Sequence, residues 1–228
     1  MLRGMFRAVL SLAAATAIVA AVAAPAAAAV GDRAYWELNE QGSPATAADS
    51  SGNGNNGTNY NITGTGEGYV FNGVSSRVIV PDSASLDPGS ADFSYGATIM
   101  MDAPPETNDT DDIIRKGITS SAGGDYKLEI KNVNGTARAR CVVKDAAKVV
   151  VAIQDTKNVA DGLTHKINCA KTSIGVTITV DSRSRTKTVV KLGSVSNGNN
   201  LALGAKAEAT AKTGFDWFTG TMLDAWVR

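Results

Sequence analysis

Histidine occurs once and cysteine twice in these 228 residues. One histidine cannot build a His-rich zinc site, and Cys141 and Cys169 have neither zinc-ribbon nor Cys-x-x-Cys spacing. Aromatic residues make up only 6% of the chain, so few are spare for a ligand platform once a core is filled. Neither sign of charge dominates: 22 basic residues meet 22 acidic ones. The Lys and Arg residues are scattered, without the basic footprint that nucleic-acid binding requires. After the first 29 residues no run is apolar enough to span a bilayer, and no amphipathic helix is legible.

The amino-terminal segment is of a different kind. Arg3 and Arg7 precede an apolar run from Ala8 to Ala24, then Pro25 and a string of alanines. That order of charge, hydrophobic core and small residues is a secretory signal, with cleavage expected near Ala29; a transmembrane helix is the alternative. Export leaves Val30–Arg228, roughly 200 residues, enough for one large domain with a buried core. The mature chain then carries 20 basic and 22 acidic residues, a net charge of −2. An even cysteine pair in an exported chain predicts a Cys141–Cys169 disulfide.

The mature sequence alternates in period two. Ala34, Trp36 and Leu38 share one face, Tyr126-Lys127-Leu128-Glu129-Ile130 repeats the pattern, and so does Val176-Thr177-Ile178-Thr179-Val180. Asn72-Gly73, Asn134-Gly135 and Asp161-Gly162 punctuate these runs as turns. Short strands at this spacing predict an antiparallel sandwich rather than βαβ units. The aromatic end, from Phe215 to Arg228, predicts a terminal strand that pairs beside the first and buries Phe218, Met222 and Trp226. Asp224 is expected near the sheet end.

Three polar features invite a functional reading. The stretch Asp49-Ser50-Ser51-Gly52-Asn53-Gly54-Asn55-Asn56-Gly57-Thr58 has no apolar side chain. Its glycines permit tight coiling and its Asp and Asn oxygens are hard ligands suited to Ca²⁺, although a solvated Asx/Gly turn uses the same residues. The second feature is the acidic stretch Glu106–Asp112, with Asp109, Asp111 and Asp112. It predicts an exposed loop, a cation site or a set of acceptors for sugar hydroxyls. The third is a small group of aromatics left outside the strand faces, namely Tyr60, Tyr95 and Trp217.

Trp36-Glu37-Leu38, the Asp49–Gly57 loop, Val70-Phe71-Asn72-Gly73 and Phe218-Thr219-Gly220-Thr221-Met222-Leu223-Asp224 stand in an order that resembles the laminin-G-like, concanavalin A-like jelly-roll domains of secreted bacterial proteins. The resemblance covers Val30 to Arg228. It implies an all-β, two-sheet antiparallel jelly roll with one structural Ca²⁺ held by Asp49, Asn53, Asn55 and Asp224. Such domains often carry Asp-Gly-x-Trp-His and Val-Asp-Gly. This chain has Asp161-Gly162-Leu163-Thr164-His165 and Val180-Asp181-Ser182 instead.

No catalytic residue is expected. Glycoside hydrolysis needs two facing carboxylates, and the pattern Glu-x-Asp-x-x-Glu that would place them on one strand face is absent. There is no Gly-x-Ser-x-Gly elbow, and His165 is expected to be structural. The sequence therefore predicts a secreted, extracellular, non-catalytic domain that binds a glycan or cell-surface polysaccharide. The alternatives are a structural or protein-interaction domain with an extracellular protein partner and, least favoured, a glycoside hydrolase.

Overall fold

The computed structural model describes residues 31–107, 109–189, 191–206 and 216–228. The expected signal segment, the acidic loop's Asn108 and the terminal strand's Phe215 lie outside the described residues. Among those described, no helix is long and apolar enough to cross a membrane.

Seventeen strands are present among the described residues. The first seven are β1 (Ala34–Trp36), β2 (Gln41–Gly42), β3 (Thr46–Ala47), β4 (Gly57–Tyr60), β5 (Thr63–Thr65), β6 (Tyr69–Asn72) and β7 (Arg77–Val80). After a 3-10 turn at Ala84–Leu86 come β8 (Phe93–Met100), β9 (Thr110–Lys116), β10 (Asp125–Val133), β11 (Thr136–Lys144) and β12 (Val150–Gln154). The last five are β13 (Thr164–Thr172), β14 (Gly175–Val180), β15 (Arg183–Thr188), β16 (Leu201–Leu203) and β17 (Thr219–Val227). One sheet runs β15-β14-β13-β8-β17-β6-β5-β2, with β1 also on β17; the other runs β12-β11-β10-β9-β16-β7-β4-β3. Every pairing is antiparallel, the two-sheet sandwich of a jelly roll.

The period-two pattern explains which side chains meet between the sheets. Phe93, Tyr95, Ala97 and Ile99 of β8 point inward, as do Tyr126, Leu128 and Ile130 of β10. Tyr126 stands 4.9 Å from Tyr95 and 5.2 Å from Phe93, centroid to centroid. Tyr95 is fully buried, donating its hydroxyl to the carbonyls of Lys127 and Val142, so it belongs to the core and not to a ligand platform. Asn134 and Gly135 both take positive φ, 53° and 80°, the geometry that a two-residue hairpin between β10 and β11 demands. The Cys141–Cys169 disulfide forms between β11 and β13, and so ties one sheet to the other.

The terminal strand pairs with β1, Ala34 opposite Val227 and Trp36 opposite Ala225. Phe218 and Met222 are buried in the core as expected. Trp226 is also buried but lies outside the core cluster, because a register irregularity between Met222 and Asp224 shifts the alternation. Its indole lies on the outer face over Gly96, where an added Cβ would sit 2.5 Å from Cζ2. Nε1 donates to Asn168 Oδ1, and Lys166 and Arg228 cover the ring. Asp224 stands opposite Thr98 within the β8 pairing rather than at the sheet end, a second consequence of that irregularity.

A matching bulge changes β9. The β9–β10 register shifts at Leu128/Glu129, so both Ile113 and Ile114 reach the core. Asp111 then pairs with inward-facing Ile130, whereas Asp112 pairs with Glu129. Adjacent carboxylates thus enter different environments.

Candidate functional site

Asp111 opens into a cleft of about 510 Å³ at one end of the sandwich. The segment after β8 forms one wall through Asp102, Pro104, Pro105 and Glu106; Asp216 and Trp217, just before β17, form another. The wall after β8 is fixed from below, since Asn132 Nδ2 donates to the Pro105 carbonyl at 2.6 Å and that bond is buried. Asp216 is held at φ 54° and accepts the Asp112 amide through its carbonyl. Its carboxylate meets Lys206 at 2.7 Å and Arg115 at 3.6 Å. Gly220 contributes the floor: a Cβ there would stand 2.6 Å from the Met100 carbonyl. Trp217 is half-buried, with the Arg77 guanidinium 5.5 Å from its ring.

The acidic stretch is therefore divided by the bulge. Asp109 is exposed and accepts the Thr110 amide, whereas Asp111 retains only 6% exposure. Asp111 Oδ2 accepts one long bond from the Thr219 amide, 3.4 Å, and no cation pairs with the carboxylate among the described residues. Burial pushes its pKa up to about 7; the Thr219 bond opposes the shift and neighbouring Asp109, Asp216 and Asp112 reinforce it. Burial likewise raises Asp112 to about 6, against the pull of Lys127 and Arg115.

A pH dependence follows. A carboxyl whose folded pKa is raised favours folding fully below its unfolded value near 4, and that contribution is lost as pH rises through about 7. Asp111→Asn should melt within error of the natural protein at pH 3 and several degrees higher at pH 8. Equal differences at both pH values would refute the assignment.

The Asp49 loop is built otherwise. Asp49 Oδ1 accepts the amides of Tyr35 and Ser51, and Oδ2 accepts Ser51 Oγ and the Asn55 amide. Asn53 Nδ2 donates to the carbonyls of Asp32 and Arg33, and Asn55 Nδ2 donates to Arg33 O and Ser85 Oγ. The structure thus gathers Asp49, Asn53 and Asn55 around the start of β1. Asp224 accepts from the Thr98 amide and the Tyr35 hydroxyl through its two oxygens, so Asp49 holds the backbone end of Tyr35 and Asp224 the phenol end. No group of three His, Cys, Asp or Glu among the described residues could hold a metal ion.

His165 and its neighbours form a third polar cluster. Its Nε2 lies 2.9 Å from Asp161 and its Nδ1 3.0 Å from Asp181. The hydrogen bond to His165 holds the Asp161 carboxyl below its ordinary range. The two stretches that depart from the jelly-roll motifs therefore meet at this ring, at the start of β13, where Lys157 also reaches Asp181. Facing carboxylates also exist on the outer side of β9 and β10, where Asp112 pairs with Glu129. Both are buried, Glu129 bonding to Lys127 and Arg140 and Asp112 to Arg115.

Sequence reasoning identified the acidic stretch and Trp217 separately but not their convergence, nor the part of Asp102 and Asp216. The sequence offers only Asp102-Ala103-Pro104-Pro105 there, whose prolines cannot donate to a central ladder and so end the strand before it.

No protein-family model matches the chain, and no curated protein matches it significantly. Solved structures do. The binding domain of botulinum neurotoxin serotype D aligns over 86% of this chain and 46% of its own, with 12% identity and a TM-score of 0.56. The binding domain of Paraclostridial Mosquitocidal Protein 1 aligns over 85% and 48%, with 14% identity and a TM-score of 0.60. Trypanosoma rangeli sialidase bound to 2,3-difluorosialic acid aligns over 89% and 31%, with 15% identity and a TM-score of 0.62. The chain spans between about a third and a half of the length of these structures. At such identities the likeness is one of fold, a β-sandwich shared with receptor-binding and sialidase proteins.

Proposed function

We propose that this chain is a secreted, laminin-G-like lectin module that binds a glycan without transforming it. The observation that carries this reading is the cleft itself, where an accessible tryptophan stands among carboxylate acceptors. A sugar ring offers an apolar face to an indole and hydroxyl donors to carboxylates, and pockets of this volume suit small ligands. Toxin binding domains among the structural neighbours support a binding role, and the sialidases support a glycan-rich setting. The facing pair Asp112–Glu129 supports no hydrolase, because both carboxylates are buried under cationic partners. The calcium expectation concerns the Asp49 loop and not the cleft; a structural ion there is a separate proposal, tested by melting in Ca²⁺ and in chelator. Equal melting temperatures would sink it.

The test is a glycan and polysaccharide screen on Val30–Arg228, run in Ca²⁺ and in chelator. Selective binding that Trp217→Ala weakens about tenfold, equivalent to ~1.4 kcal/mol, is the expected result. A silent screen would turn the assignment toward a structural or protein-interaction domain. Binding indifferent to Trp217 would move the site elsewhere on the sandwich.

A further inference from the structure

We infer that the cleft takes a glycan bearing free amino groups, a hexosamine polymer whose ammonium substituents meet Asp111 and the carboxylates around it. This rests on the glycan-binding reading and names the ligand class. Five carboxylates line the cleft, Asp102, Glu106, Asp109, Asp111 and Asp216, and among the described residues no Lys or Arg does. Asp216 is engaged by Lys206 and Arg115, and Arg77 covers one side of Trp217. The other four face the cleft without a cation among the described residues.

Asp111 distinguishes this cleft from an ordinary solvated acidic loop. Buried carboxylates elsewhere have strong partners: Asp112 with Arg115, Asp125 with Lys144, Glu129 with Arg140 and Asp155 with Arg183. Asp145, which has no such cation, accepts the amides of Val149 and Gly193 at 2.9 and 2.8 Å. Asp111, more than nine-tenths buried, has the single 3.4 Å bond from Thr219, and its Oδ1 accepts none among the described residues. Burial with so few donors disfavours the ionised form of Asp111, and an ammonium group arriving from the cleft would supply the counter-charge and donors that favour it.

The spacing of the carboxylates selects the kind of cation. They do not cluster in threes around a point, as a divalent ion would need. They are spread along the walls beside Trp217, which suits ammonium groups carried on successive sugar rings. The indole can stack on a ring or attract a nearby ammonium through its π face.

The experiment titrates the mature chain by calorimetry at pH 6.5 and low salt with three β-1,4-linked oligosaccharides of equal length, made of glucosamine, N-acetylglucosamine or glucose, and with tri-lysine. The glucosamine oligomer should bind roughly tenfold or more tightly than the other three. Asp111→Asn should erase that preference, whereas Asp109→Asn, at the exposed rim, should change it less than threefold, since a solvated carboxylate is screened. Circular dichroism verifies that each variant is folded. Equal, Trp217-dependent binding of all three sugars would overturn the amino-group inference and leave the glycan reading intact. Tri-lysine binding as tight as the glucosamine oligomer would overturn both, as would no binding to any sugar. A preference that survives Asp111→Asn would overturn the assignment to this cleft.

Discussion

Replacing Trp36 with alanine is expected to destabilise the fold by about 3–5 kcal/mol, the range for removing a large aromatic from a core. Trp36 is fully buried and its strand pairs with β17. Its Nε1 also donates to the Asn55 carbonyl at 2.8 Å in a buried bond, so the side chain anchors the polar loop to the core. The same Asn55 uses its amide to close the Asp49 network. Alanine would therefore leave a cavity, an unpartnered carbonyl and a loosened loop together. For a chain of this size the melting temperature should fall by roughly 6–20 °C. Trp36→Phe keeps most of the volume and loses the donor, so it separates the two contributions. If Trp36→Ala unfolds at the same denaturant midpoint as the natural chain, the loop is not organised by this residue.

The contrast between Trp36 and Trp226 shows where sequence reasoning reached and where it stopped. Both occupy alternating positions, and period-two counting assigns both to the interior. Trp36 obeys it. Trp226 does not, because alternation carries no sign of the irregularity after Met222 that moves Asp224 and Trp226 to the outer face. The β9 bulge is similar: Asp111 and Asp112 are neighbours in an acidic run, and only the shifted register sends the first toward the cleft and the second toward Glu129. Strand existence was legible because hydrophobic alternation and Asn-Gly turns are local signals. The cleft was not, because Asp102, Asp111 and Asp216 come from separate connections that only the closed sandwich brings together.

That difference also affects the loop chemistry. Gly/Asn/Asp composition identified a coiled polar loop, and the structure gives one. Composition could not say whether its oxygens face an ion or the amide donors of the same loop, since both use the same residue types. In the structure Asp49 accepts four donors and Asp224 is committed to Tyr35 and Thr98. The cleft shows the opposite condition, with Asp111 short of donors.

Removing the disulfide, by reduction or by Cys141→Ala with Cys169→Ala, should destabilise the protein by about 3–4 kcal/mol on the chain-entropy estimate. The two cysteines lie 28 residues apart in sequence. The cross-link joins β11 to β13, so its loss opens the closed loop in the unfolded ensemble and removes a covalent tie between the two sheets in the folded state. Both sulfur positions are fully buried in the core, so the double alanine variant also forfeits packing, whereas reduction alone retains the two side chains. Reduction should therefore lower the melting temperature by roughly 6–16 °C, and the double variant should fall further. The fold should persist in both, since the strand pairings around β8, β10 and β17 do not depend on the bridge. A reduced protein that melts with the oxidised one would show that the sheets are already fixed by packing alone. Collapse to an unfolded chain on reduction would show that the core between these two sheets cannot hold without the bond.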